Sequence, residues 1–70
     1  MTAEELHKAF LSGRPVVHKD YLKTVRYKRV AGTYVRNVNG EDKVFAICAD
    51  YNGNSVTHLD PDRLEYDTQG

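Results

Sequence analysis

One cysteine, three histidines and a tyrosine-studded run of lysine and arginine are the residues of this 70-residue chain whose chemistry could be put to use. Cys48 would be a nucleophile if it were deprotonated beside a histidine. It lies between Ile47 and Ala49 in the longest apolar run, with no loop motif around it. That context predicts a buried strand position, where a free cysteine packs as a small hydrophobe. His7, His18 and His58 could join Cys48 or Asp60 around a metal, but no two share a ligand spacing such as His-x-x-x-His, and each falls on a different predicted element. Ser55, His58 and Asp60 have the residue types of a hydrolytic triad. They are nearly consecutive on one strand, where alternate side chains point oppositely, so they cannot converge. Asp60, Asp62, Glu65 and Asp67 lack the spacing and the glycine of a calcium loop. The expectation is a chain with no catalytic site, no metal site and no cofactor, and therefore not an enzyme.

The basic, aromatic stretch is different. Tyr21, Lys23, Arg26, Tyr27, Lys28, Arg29, Tyr34 and Arg36 interleave cations with rings that stack. Cations of this kind neutralise phosphates, and exposed tyrosines stack on bases. The competing assignment puts Tyr27 and Tyr34 in the core with their hydroxyls at its rim. The chain is formally neutral, with ten basic and ten acidic residues, but the charges are segregated. Residues 14–36 carry seven basic residues against Asp20 alone, a net of +6. Residues 37–70 carry Lys43 and Arg63 against seven carboxylates, a net of −5. Such segregation forms either a basic binding face or strands that pair opposite charges with their neighbours.

These side chains must be positioned by a small scaffold. Seventy residues make one domain, residues 1–70, and a chain of this size buries only about 60% of its unfolded surface. The lone cysteine rules out an internal disulfide, and together with the absence of a signal-peptide pattern it suggests a cytoplasmic protein. No apolar run approaches the roughly 18 residues of a membrane span, so no membrane partner is expected.

Residues 2–12 are expected to be a helix. Thr2 and Glu5 form a capping box, Gly13 suits the C-terminal cap, and Pro15 blocks continuation. Leu6 and Phe10, four apart, should dock on the sheet. Strands are expected near 15–19, 22–31, 33–38, 42–51 and 55–59, with a short closing strand at 63–66. Val25 and Tyr27 share a parity that Val30 does not, which predicts a bulge near Lys28–Arg29. Gly32 is expected to mark a bend or a close backbone approach. Asn39-Gly40 is a strong two-residue hairpin signal, and it sets Val35 opposite Val44 and Tyr34 opposite Phe45. The Asn52-Gly53-Asn54 hairpin leaves two registers open: a two-residue loop places Val56 opposite Ala49, and a three-residue loop places Leu59 opposite Ile47. Asp60-Pro61-Asp62 predicts a turn or one 3₁₀ turn. The fourth strand is apolar on both faces, which predicts cover on both sides of the sheet.

A strand, an Asp-Pro-Asp turn and then Leu64-Glu65-Tyr66 resembles the end of SH3-like barrels. The resemblance spans residues 15–66 and implies a five-stranded, curved antiparallel sheet or barrel, with the helix added. A second resemblance rests on the Tyr27-Lys28-Arg29 strand, the Asn54-Ser55-Val56-Thr57 strand and Pro61-Asp62-Arg63. These are similar to small accessory proteins of phages and conjugative elements of Gram-positive gut bacteria. That similarity implies a mobile-element origin and carries no activity with it. Its one departure is the turn at Lys19-Asp20-Tyr21-Leu22, where the pattern has a glycine.

The expectation is a mainly β, SH3-like module with one N-terminal helix and a non-catalytic role in binding a protein partner. A sheet edge offers strand addition or self-association. The alternative is a small nucleic-acid-binding protein that uses strands 21–36.

Overall fold

The computed structural model describes residues 1–52 and 55–68. The chain is mainly β, with one N-terminal helix and two antiparallel sheets of three strands each. Helix α1 spans Ala3–Ser12. The Thr2 hydroxyl accepts from the Glu5 backbone N–H, and the Glu5 carboxylate accepts from the Thr2 N–H, so the capping box is complete. That pair of hydrogen bonds to Thr2 holds the Glu5 carboxyl below its ordinary value. Gly13 closes the helix at φ 67° and donates its N–H to the Ala9 carbonyl.

Six strands follow: β1 Val16–Lys19, β2 Thr24–Tyr27, β3 Arg29–Val38, β4 Glu41–Ala49, β5 Val56–Leu59 and β6 Leu64–Tyr66. One sheet has the order β2-β1-β6 and the other β3-β4-β5. They do not close into a single five-stranded barrel. The reason lies at Lys28. The expected strand over 22–31 is cut there, because Tyr27 pairs with Val16 in the first sheet while Arg29 pairs with Ala49 in the second. The Lys28 N–H donates to the Ala49 carbonyl at 2.8 Å and fixes the handover. This crossing also explains the parity break between Tyr27 and Val30. Both residues are buried, each from its own sheet. The register irregularity sits further along, between Val30 and Gly32, and β3 runs straight through Gly32 instead of ending before it.

The start of the expected second strand, Leu22, lies in the four-residue connection between Lys19 and Thr24, whose ends pair. A loop of this length turns without positive φ, so the turn forms without a glycine. At Asn39-Gly40 both residues do take positive φ, 53° and 84°. The two-residue hairpin then sets Val35 opposite Val44 and Tyr34 opposite Phe45, in the expected register. For the second hairpin Ala49 pairs with Val56, the first of the two registers, although Gly53 and Asn54 of its turn lie outside the described residues. Pro61–Arg63 form one 3₁₀ turn capped by the Asp60 carboxylate, which accepts from the Asp62 N–H. β6 then returns to pair with β1, setting Val16 opposite Tyr66.

The core gathers Leu6 and Ala9 of α1, Val16, Tyr27, Val30, Ala46, Cys48 and Leu64. Both sheets and the helix contribute, and α1 rests on β3. Phe10 does not dock as Leu6 does. It is 39% exposed, because the stripe that turns inward runs through Leu6 and Ala9, three apart, and leaves Phe10 at its margin. At the other end the Met1 ammonium donates to the carbonyls of Pro61 and Leu64, which ties the start of the chain to the β6 region.

Only one face of β4 is enclosed. Ala46 and Cys48 are fully buried, whereas Phe45, Ile47 and Ala49 are half-buried on the opposite face. The expectation of cover on both sides fails there, because α1 and the first sheet both lie on the Cys48 side. The open face instead shelters its own side chains through contacts between rings.

Candidate functional site

Directly opposed residues of an antiparallel pair share a face. On the open face of β3-β4-β5 this rule places Tyr34 beside Phe45, Ile47 beside His58, Arg36 beside Lys43, and Ala49 between Arg29 and Val56. The Tyr34 and Phe45 rings stack with centroids 5.6 Å apart and planes 21° from parallel. His58 lies 5.2 Å from Tyr34 at 53°, and the Arg36 guanidinium sits 6.0 Å from the Phe45 centroid. Ile47 fills the floor, and Val56, 54% exposed, ends the strip. The result is an aromatic strip about three strands wide, with cations along one margin.

The eight residues singled out from the sequence divide among four places. Arg29, Tyr34 and Arg36 are on the open face. Tyr27 is 5% exposed and belongs to the core, where burial raises its pKa in spite of a hydrogen bond with Thr57. Arg26 is on β2 of the other sheet, with Tyr21 and Lys23 in the connection before it, and Lys28 is in the handover segment. Tyr21, 88% exposed at the β1–β2 turn, lies under the Arg63 guanidinium at 4.4 Å. Arg63 also reaches Asp20 at 3.6 Å. The basic stretch is therefore not one surface. Phe45, Ile47, His58 and Lys43 complete the open face from β4 and β5. The hairpin register pointed to Phe45, and the second register, once fixed, points to His58.

The segregated charge resolves differently in the two sheets. In the first, opposite charges pair across strands: Lys19 meets Glu65 at 2.6 Å and Arg26 meets Asp67 at 3.8 Å. These residues line a cleft of about 440 Å³ together with Val17, Thr24, Tyr66 and Thr68, and its cations are already matched by carboxylates. In the second sheet, Arg36 faces Lys43 directly. Like charges at opposed positions destabilise a sheet. Lys43 shares a hollow with Asp42, Asp60 and Asp62 at the margin of this face, yet neither Arg36 nor Lys43 makes an ion pair among the described residues.

Cys48 is fully buried, and burial, with Asp50 adding to it, pushes its thiol up to about 11. A thiol held protonated at neutral pH is a packing group. Among the described residues no three His, Cys, Asp or Glu side chains are placed to hold a metal ion. No helix among them is long and apolar enough to cross a membrane. Comparisons with protein-family models, with curated proteins and with solved structures gave no match.

Proposed function

We propose that the chain is a non-catalytic binding module that takes single-stranded nucleic acid on the open face of β3-β4-β5. One observation carries this reading: the stacked Tyr34–Phe45 pair is bordered by Arg36 and Lys43, two cations set directly opposite each other and in no ion pair among the described residues. A phosphate between Arg36 and Lys43 removes their repulsion, while bases stack on Tyr34, Phe45 and His58. Aromatic platforms of this kind bind single strands with little sequence preference, and cations beside them follow the backbone. The opposed cations favour a polyanion over a neutral or basic protein surface. The strand, 3₁₀ turn and strand at residues 56–66 support keeping the module with SH3-like small β folds, and its sequence resemblance supports an accessory role in a mobile element.

The test is binding of generic single-stranded DNA and RNA by fluorescence anisotropy at about 50 mM salt and again at about 200 mM. Binding should be present at the lower salt and weaken as salt rises. No binding at about 50 mM would sink the reading, since phosphate contacts are strongest there. In that case a protein partner becomes the occupant to seek for the same face.

A further inference from the structure

The edge of β3 carries a separate inference. β3 is ten residues long, and among the described residues it pairs only with β4, leaving its other edge unpaired. Val38 and Glu41 close the two-residue turn, so they form a hydrogen-bonded pair. Hydrogen-bonded pairs alternate along an antiparallel ladder. Arg36 and Tyr34 therefore also direct their backbone groups to β4. Thr33, Val35 and Asn37 direct theirs outward, from the free edge.

We propose that two copies of this chain join through this edge, antiparallel, about a two-fold axis at Val35. In that register the outward N–H and C=O of Val35 meet those of the partner's Val35, and Thr33 pairs with the partner's Asn37. Val35 is 61% exposed, and the union covers it with its own copy. Tyr34 comes to lie opposite the partner's Arg36, a cation facing a ring. Other centres are poorer. An axis at Arg36 opposes two guanidiniums, and its backbone groups are already turned to β4. An axis at Asn37 sets Val35 against Asn39, which is at positive φ in the turn. An axis at Thr33 drives the partner into the irregularity between Val30 and Gly32. From Thr33 to Val38 the edge has no proline, lysine or acidic residue to discourage pairing. The product is a continuous six-stranded sheet with two aromatic strips on one face, β4 and its copy lying three strand spacings, about 14 Å, apart.

Association is measured without nucleic acid, so its outcome is independent of the proposed ligand. In sedimentation and light-scattering runs the 8.0 kDa chain should shift toward twice that mass as concentration rises. Val35→Pro removes an outward N–H that β4 does not use, and Val35→Lys sets two ammonium groups face to face. Both variants should stay monomeric and keep wild-type circular dichroism. Hydrogen-bonded opposed residues have Cα atoms about 5.5 Å apart, within disulfide range. Mild oxidation should therefore cross-link Val35→Cys and not Asn37→Cys, since the native Cys48 is buried. A wild-type chain that stays at 8.0 kDa at about 1 mM overturns the proposal, because even a millimolar Kd would show there. A dimer that survives both Val35→Pro and Val35→Lys, or a cross-link at position 37 in place of 35, overturns it equally.

Discussion

Tyr34 and Phe45 face each other across β3 and β4, rings 5.6 Å apart and 21° from parallel, on the side of the sheet away from the core. Stacking of this kind supports the strand pair as well as offering a platform. If bases stack there, Tyr34→Ala and Phe45→Ala should each weaken oligonucleotide binding by about 1–3 kcal/mol. Anisotropy titrations with the folded variants measure this. Equal affinity in both variants would move the ligand off this face.

The opposed cations separate stability from binding. Lys43→Glu replaces repulsion of Arg36 with attraction and should raise stability by up to about 1 kcal/mol in urea melts. The same substitution should abolish oligonucleotide binding at low salt. Arg36→Ala should instead lower the slope of log affinity against log salt by about 0.7, the share of one phosphate contact on a single strand.

Helix docking is tested by a pair of truncations. Leu6 is fully buried, so Leu6→Ala should cost about 2–5 kcal/mol. Phe10, at the margin of the stripe, should cost clearly less despite its larger side chain. Thermal melts resolve the difference, because 1 kcal/mol corresponds to about 4–8 °C in a domain of this size.

Two glycines should respond in opposite directions. Gly40 holds φ 84° in the hairpin turn, and a Cβ there would meet nothing within 4 Å, so Gly40→Ala costs only the backbone strain, about 1 kcal/mol. Gly32 is within β3, and a Cβ would touch Ile47 Cδ1 at an ordinary 3.7 Å. Gly32→Ala should stabilise the protein by about 0.5 kcal/mol by restricting the unfolded chain. Denaturant midpoints report both.

Alkaline stability should depend on Cys48. Its folded pKa is about 11, against an ordinary value of 9.0. The unfolded thiol loses its proton first, so above pH 9 the unfolded state binds fewer protons and stability falls as pH rises toward 11. The slope from this group is at most roughly 1 kcal/mol per pH unit. Burial raises Tyr27 as well, which extends the decline in the same direction at higher pH. Cys48→Ala should lose part of the slope between pH 9 and 11 when its urea stability is followed against pH. An unchanged slope would mean that the thiol ionises as easily folded as unfolded.

Local signals foretold local structure well. Thr2 and Glu5, Asn39-Gly40 and Asp60-Pro61-Asp62 each specify a cap or a turn through their own backbone chemistry, and each forms as the residues indicate. The handover at Lys28 is another matter. A parity change between Tyr27 and Val30 is equally consistent with a bulge and with a crossing between sheets. Only the pairing of Tyr27 with Val16 on one side and of Arg29 with Ala49 on the other makes it a crossing. The candidate surface was split for the same reason. Tyr27 and Tyr34 look alike in a basic, aromatic run, yet one side of the crossing buries the first and leaves the second open. Phe45 was visible as a partner of Tyr34 through the hairpin register, but the apolar character of both faces of its strand was read as a sign of cover. Lys43 and His58 enter only once β4 and β5 are laid beside Tyr34.

The pairing of Val16 with Tyr66 also sets a timetable. The β3-β4 hairpin is local and can zip within microseconds of its residues becoming available. β1 has one neighbour close by in β2, and its other side stays bare until residue 66 has been made. At roughly 5–20 residues per second, the first sheet waits several seconds on the ribosome for its last strand. During that wait Val16 and Leu6 have an incomplete core to join, so the nascent chain depends on Leu64–Tyr66 to complete it.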